Sequence, residues 1–408
     1  MIAPRVLVVG WYLPSPPDQG GRIRSFRLLR ALTEMAEVTL VCFARPGEEG
    51  HAERLVAEGL RVFTVPVPPA APRWWHHLAS PRPLLAQQYA SAGMREAVED
   101  ARRRTRPDAA VVDGLLATEY RADLGPTPVL YAAQNVESEI YRRMLPRLEG
   151  SPWRRLVARG DCAKTWLWER RRVRRFSHIA VVSERDGEIV RRWNPRAAVS
   201  VVPNGVDCDH FRPSPGTAVE PGRIVFTGDL SYPPNRDAVL FFAREVFPLV
   251  RRAEPRATWH VVGGGTPDLE AAVGGRPGVV LTGHVADVRP HVAQAAVVVA
   301  PLRAGGGTRL KILEALAMAR PVVSTTIGAE GLELPDRRGV TIADGPAALA
   351  AAVLAVLRDP VRAAGDAAAA RPALVAAYDW TRVGVGFQQA IAALIETRVG
   401  LMAPRVAR

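Results

Sequence analysis

Short apolar runs alternate with helix-length amphipathic segments along almost the whole chain, and this alternation restricts the fold more than any other feature. The runs of the first half are Val6–Val9, Val38–Phe43, Val62–Val65, Ala109–Val112, Val129–Ala132, Ile179–Val182 and Val199–Val202. Those of the second half are Ile224–Thr227, Thr258–Val262, Val279–Thr282, Ala296–Ala300, Val322–Ser324 and Val340–Ile342. Strands this short, separated by segments with helical periodicity, read as βαβ units feeding a parallel sheet. Helices are expected at Ile23–Met35, Ala92–Thr105, Ala163–Phe176, Asp237–Val250, Arg309–Met318 and Pro346–Leu357, among others. After Val202 the pattern breaks at Pro-Asn-Gly-Val-Asp and a stretch carrying Pro203, Pro213, Pro215 and Pro221, which reads as a linker. The expected architecture is therefore α/β, with two doubly wound Rossmann-like domains at 1–202 and 223–378 joined by a hinge at 203–222. Ligands of such sheets sit beyond the carboxyl ends of the strands, so the expected site is the cleft between facing domains.

Composition agrees with this and excludes other classes. A length of 408 residues and an apolar fraction of 48% suit two soluble domains with full cores. No apolar run approaches the roughly 18 residues of a membrane span, and the N-terminus enters a strand directly rather than reading as a signal peptide. Cys42, Cys162 and Cys208 are odd in number and far apart, which offers neither a disulfide framework nor a zinc site and suits a reducing, cytoplasmic setting. The formal charge of +13 is unevenly spread: residues 1–200 hold 32 basic against 22 acidic side chains. Twelve of the basic residues lie between Arg142 and Arg175, interleaved with Trp153, Trp166 and Trp168. Such a mixture reads as an interfacial helix at an anionic leaflet or as a solvated arginine-rich face. Nucleic acid ranks third, because no nucleic-acid motif accompanies the charge.

The strongest local feature is Ala300-Pro-Leu-Arg-Ala-Gly-Gly-Gly-Thr-Arg-Leu-Lys-Ile-Leu-Glu314. A strand ends, three glycines follow, and a helix opens near Thr308. Free N–H groups at a helix start make an anion site, and glycines allow a phosphate to approach the main chain. Lys311 falls in the first turn with Arg309 just before it, so both place positive charge there. Glu314 follows one turn on, where its carboxylate suits a ribose diol. The bland alternative is a glycine-rich turn with a Lys311–Glu314 surface pair. The spacing is not that of a P-loop, and Val261-Val-Gly-Gly-Gly-Thr-Pro-Asp268 fails the dinucleotide fingerprint. Gly20-Gly21 forms a second candidate phosphate- or sugar-facing turn between the first strand and helix. The His76-His77 pair after Trp74-Trp75 lacks a third ligand at useful spacing, and reads as a membrane- or acceptor-facing loop.

Taken in order, Gly20-Gly21, Val202-Pro-Asn-Gly-Val-Asp207 with Phe211 and Pro213, Phe226-Thr-Gly-Asp-Leu with Pro234-Asn235, Leu281-Thr-Gly-His-Val285, Gly305-Gly-Gly-Thr-Arg-Leu-Lys-Ile-Leu-Glu-Ala-Leu-Ala, Pro321-Val-Val-Ser-Thr and Gly328-Ala-Glu-Gly-Leu resemble the family 4 retaining glycosyltransferases of GT-B fold. The resemblance spans nearly the whole chain. It implies a nucleotide-sugar donor on the C-terminal domain and a carbohydrate, lipid-linked or small-molecule acceptor on the N-terminal one, with no cofactor or metal. The last amphipathic stretch, from Trp380, is expected to return to the first domain. By the same resemblance Gly307, Thr308 and Leu310 offer main-chain contacts to the diphosphate, Arg309 or Lys311 neutralises it, and Glu314 takes the ribose. His284 and Val285 border the base, and Gly20 and Gly21 close over the diphosphate and sugar. The chain departs from the family where Gly306 replaces the first glutamate of an E-x7-E pattern, and where only Arg236 stands for an Arg/Lys pair after the first strand of the second domain. A histidine often found at the end of the fourth strand is replaced by Asp113, either a base or a helix-capping residue. Two other readings remain on this scaffold: a nucleotide-sugar epimerase and a non-catalytic binding protein.

Overall fold

All the apolar runs form strands in the computed structural model, which describes residues 3–69, 80–214 and 216–402. The Trp74-Trp75-His76-His77 segment lies outside the described residues. One sheet contains β1 (Arg5–Gly10), β2 (Glu37–Ala44), β3 (Arg61–Pro66), β4 (Ala109–Asp113), β5 (Val129–Ala132), β6 (His178–Val181) and β7 (Ala198–Val201). The other contains β8 (Arg223–Thr227), β9 (Thr258–Val262), β10 (Val279–Gly283), β11 (Val297–Ala300), β12 (Val322–Ser324) and β13 (Val340–Ile342). The strand orders are β3-β2-β1-β4-β5-β6-β7 and β10-β9-β8-β11-β12-β13, with the paired strands parallel. Central strands such as β4 and β11 are buried along their length, as befits parallel sheets covered on both faces.

The helices that matter for the site are α1 (Gly20–Thr33), α2 (Glu137–Met144), α3 (Pro152–Val173), α4 (Leu310–Ala317) and α5 (Trp380–Met402). Two of them begin earlier than their periodicity suggests. Gly20 and Gly21 form the first turn of α1 rather than a preceding loop. Helix α3 starts at Pro152, because the Ser151 hydroxyl caps the Arg154 N–H and proline suits the first helical position. The segment expected as one helix over 237–250 divides into Pro233–Phe241, a π-turn at Phe242–Val246 and Phe247–Ala253. Pro248 lacks the N–H that would continue an α-helical ladder there.

The chain separates into two compact units. The first comprises Met1–Leu145, Glu149–Pro203 and the chain from Val383, and the second Pro146–Leu148 with Asn204–Arg382. The stretch from Asn204 to Gly222 thus packs as part of the second unit: Val206 bridges Asp379, and a Cβ on Gly205 would lie 2.7 Å from the Trp380 ring. On the first unit, α5 packs against α1, where Gln388 Nε2 donates to the Ala31 carbonyl at 2.6 Å.

Polar anchors fix the first unit. Arg24 of α1 is buried and donates to the carbonyls of Val202 and Pro203 at 2.7 and 2.8 Å. The buried Glu119 carboxylate accepts from Arg82 and Arg95 at 2.9 and 3.0 Å and from Arg172 of α3. Part of the basic excess of 142–175 is therefore turned inward. The core of the second unit centres on Trp259, fully buried against Phe242 and Phe247 at ring distances of 4.7 and 5.9 Å. Trp259→Ala is expected to cost about 3–5 kcal/mol, whereas the exposed Trp153→Ala should stay within about 0.5 kcal/mol. Urea unfolding of each variant checks this, and equal shifts would contradict the packing described.

Candidate active site

In each sheet the strand order reverses once, between β1 and β4 and between β8 and β11. Connections leave such a pair on opposite faces, which opens a crevice beyond the carboxyl ends of those strands. In the second unit that position is occupied by Gly228 after β8 and by the glycine-rich segment after β11. Gly305 and Gly307 have φ of +136° and +66°, conformations that glycine adopts without the strain of a Cβ. Thr308 is buried, its hydroxyl donating to the Gly331 carbonyl at 3.2 Å while its own carbonyl accepts from Asn204 at 2.8 Å. Arg309 caps the start of α4, with Leu310 half-buried behind it.

Lys311 and Glu314 project from the first turns of α4 and are both half-buried. The Lys311 ammonium lies 3.8 Å from the centre of the Phe226 ring and donates to Asn235 Oδ1 at 2.9 Å. A Cβ on Gly228 would come within 3.0 Å of that nitrogen, so the main chain at the end of β8 runs directly beside the charge. Neither Lys311 nor Glu314 forms an ion pair with a described residue. Burial, helped by the nearby Arg309, brings Lys311 down to about 7. Burial likewise lifts Glu314 to about 7, opposed by Lys311.

The other cations of the region are engaged. Arg309 folds back on Gly305 and donates to the Ile327 carbonyl at 3.3 Å. Arg303 grips Asp237 with two bonds of 2.7 and 3.0 Å, and Arg236 binds Thr266 and Asp268. His284 is exposed, with its Cβ 3.6 Å from a Cβ built on Gly264, while Val285 packs into the core. Gly263 sits so close to Gly228 that a Cβ would meet the Gly228 carbonyl oxygen at 2.0 Å. These contacts bring Lys311, Gly228, the Gly263–Gly265 run and His284 into one continuous surface. Sequence reasoning gave no role to Asn235 or to Gly263; the signal for the first was its place in Pro234-Asn235, and for the second the glycine run itself.

In the first unit, β1 and β4 end at Gly10 and Asp113, which are register partners. Asp113 is buried, one oxygen accepting from Ser25 and the other from Gln134 Nε2 at 3.1 Å. Gln134 also reaches Tyr12 and Ser25 at 2.6 and 3.2 Å. Burial raises Asp113, and the Ser25 and Gln134 hydrogen bonds only partly offset this. Gly21 belongs to the same cluster: a Cβ there would lie 3.0 Å from the Tyr12 hydroxyl and 3.1 Å from Gln134 Oε1. Gly20, its neighbour, opens α1. Among the described residues no group of three or more His, Cys, Asp or Glu side chains suits a metal ion, and no helix is long and apolar enough to cross a membrane.

Residues 221–359 match the family described as Glycosyl transferases group 1, and residues 19–205 match the Glycosyl transferase 4-like domain. A glycogen synthase of Mycobacterium tuberculosis is 27% identical over 94% of both chains. Among solved structures, the sucrose-phosphate synthase of Thermosynechococcus elongatus superposes with a TM-score of 0.71 at 15% identity, covering 96% of this chain and 100% of its own. The Anabaena protein Alr3699/HepE, in complex with UDP and glucose, does so with a TM-score of 0.68 at 14% identity and the same coverage. The fold is thus GT-B, and the protein is a glycosyltransferase that uses a nucleotide-sugar. More narrowly, the chain belongs to the family 4 glycosyltransferases.

If a nucleotide binds with its diphosphate at Lys311 and its ribose at Glu314, the two groups, both brought to about 7, predict a bell-shaped pH dependence of that binding. A diphosphate favours protonated Lys311, so affinity falls as pH rises through about 7. A ribose diol bonds best to ionised Glu314, so affinity also falls as pH drops below about 7. Calorimetric titration with a nucleoside diphosphate between about pH 5.5 and 8.5 should show limbs of up to about tenfold per pH unit. Lys311→Met should remove the alkaline limb and Glu314→Gln the acid one. A flat wild-type profile would sink the assignment.

Proposed function

We propose that the second unit holds the nucleotide-sugar with its diphosphate over the start of α4, and that transfer proceeds with retention at the anomeric carbon. The observation that carries this reading is that Lys311 and Glu314 stand half-buried one turn apart, neither in an ion pair with a described residue, beside close-approach glycines at the strand-order reversal. Main-chain groups of Gly307, Thr308 and Leu310 contact the diphosphate. Lys311 supplies the main positive charge and Arg309 a second one, Glu314 binds the ribose, and His284 with Val285 borders the base. Gly20 and Gly21 admit the sugar end of the donor.

The acceptor, a hydroxyl of a sugar or sugar-bearing lipid, docks on the first unit. Its oxygen bonds to the anomeric carbon as the bond to the diphosphate breaks, and the departing phosphate oxygen takes the proton. Catalysis then rests on positioning and on stabilising the leaving group, so no enzymic base is needed. The hydrogen bonds on both Asp113 oxygens favour a role in orienting Gln134 over one in removing a proton.

Peripheral attachment to an anionic membrane is part of the same proposal. Trp153, Leu156, Ala163 and Leu167 share the outer face of α3, opposite the buried Cys162, Thr165 and Glu169. The tryptophan and first leucine are 54% and 57% exposed, and Arg159, Lys164, Arg170 and Arg171 flank the stripe. Apolar residues bordered by basic ones suit an interfacial helix. A cytoplasmic setting accords with three buried, unbridged cysteines.

Two measurements test the proposal. Lys311→Ala should weaken nucleoside diphosphate binding by about 10- to 150-fold, the range of a charge-assisted hydrogen bond. Arg236→Ala, already committed to Asp268, should change it less than about threefold; equal small losses would refute the donor assignment. For the membrane, the protein should co-sediment with vesicles containing phosphatidylserine and not with pure phosphatidylcholine, and Trp153→Ala/Leu156→Ala should abolish this. Equal sedimentation of variant and wild type would remove α3 from the contact.

A further inference from the structure

The segment between β11 and α4 has little in its own sequence to hold it. Gly305, Gly306 and Gly307 carry no side chain that would resist rotation of a peptide plane. The segment nonetheless enters α4 in a defined way. The Arg309 carbonyl accepts from the Ile312 and Leu313 N–H groups at 3.1 and 3.3 Å, so the helical ladder begins there. The N–H groups of Leu310 and Lys311 stand ahead of that ladder and have no hydrogen-bond partner among the described residues. An anion over the helix start would meet these two donors.

The peptide just before them is held from elsewhere in the second unit. Asn204 Nδ2 donates to the Thr308 carbonyl at 2.8 Å, and the Thr308 hydroxyl donates to the Gly331 carbonyl at 3.2 Å. In a trans peptide the C=O and N–H point opposite ways, so holding the Thr308 carbonyl sets the plane of the Thr308–Arg309 peptide. A flip of that plane would put a carbonyl oxygen where an N–H had been, and the oxygen would repel an anion. The arm that carries Asn204 is itself fixed. Val206 N–H donates to the Tyr378 carbonyl at 2.8 Å, Trp380 N–H donates to the Val206 carbonyl at 3.1 Å, and Gly205 between them is packed on the Trp380 ring. The same strut supports the other hold on Thr308. The Tyr378 hydroxyl accepts from the Glu333 N–H at 2.6 Å and donates to the Gly331 carbonyl at 3.4 Å.

We infer that Asn204 is a positioning residue of the nucleotide site: by holding the Thr308 carbonyl it keeps the last peptide before α4 in the orientation that receives a diphosphate. The inference rests on the donor reading given above and adds a residue that acts on the diphosphate through Thr308. Its effect is therefore specific to the phosphates and leaves the nucleoside part of the ligand alone.

Calorimetric titration of the full chain with UDP, uridine, GDP and guanosine tests it. In the wild type one diphosphate should bind more tightly than its nucleoside, and the ratio of the two affinities isolates the share of the phosphates. Asn204→Ala should lower that ratio at least about fivefold, the size of one hydrogen bond, with nucleoside affinity kept within about twofold. Asn204→Asp has nearly the same shape but sets an oxygen against the Thr308 carbonyl, so it should lower the ratio at least as much. Thr308→Val removes the second hold on the same peptide and should lower the ratio too, a route that leaves the Asn204 arm intact. Urea unfolding establishes that each variant is folded. Tolerance of aspartate, an unchanged ratio in folded Asn204→Ala, or equal losses of diphosphate and nucleoside affinity would each overturn the inference. A wild type that binds neither diphosphate overturns the donor reading and this inference with it, whereas wild-type binding that all three variants keep overturns this inference alone.

Discussion

Everything about this molecule that bears on chemistry follows from parallel strand pairing with one reversal of order in each sheet. Parallel strands need long crossovers, the crossovers are helices, and at the reversal two successive crossovers leave on opposite faces. The strand ends at Gly10 and Asp113, and at Gly228 and the segment after Ala300, are thereby left uncovered by their own connections. Side chains that would be too costly to bury elsewhere collect there. Lys311, Glu314 and Asp113 all stand at or just beyond such ends, and each is displaced from its ordinary titration range by burial.

Around the second of these positions glycine performs two tasks, and Gly228 and Gly263 perform both, with φ of +150° and +144°. Gly305 and Gly307 supply backbone conformations that carry a positive φ. Gly228 and Gly263 supply absence of volume, since a methyl group on either would strike the neighbouring carbonyl, amide or ammonium. Lys311 keeps its position through Asn235 and the face of Phe226, without a carboxylate partner. That arrangement holds the ammonium by a neutral amide oxygen and an aromatic face.

The strands were legible because a buried parallel strand must be an unbroken apolar run bounded by turn residues, as Val129–Ala132 and Thr258–Val262 are. Helix starts were less so. Arginines at 154, 155 and 159 hide the periodicity of α3, and only the Ser151-Pro152 cap marks where it begins. The first-unit anchors could not be read at all: Glu119 meets residues 24, 37 and 53 positions away, and local pattern has no term for such pairings. For the site, Lys311 and Glu314 were visible from spacing on a helix, whereas Asn235 and Gly263 stood in recognisable motifs but gained a role only from the Lys311 and Gly228 contacts that the fold gives them.

Lysine occurs only twice in the chain, as Lys164 and Lys311, against 52 arginines. Arginine does not react with common acylating reagents, so the protein carries almost no side-chain amines. One of the two is a half-buried amine lowered to about 7, and hence largely uncharged and nucleophilic in mildly alkaline solution. A reagent that acylates amines therefore finds very few targets on this chain, and one of them stands beside the glycine-rich segment after β11.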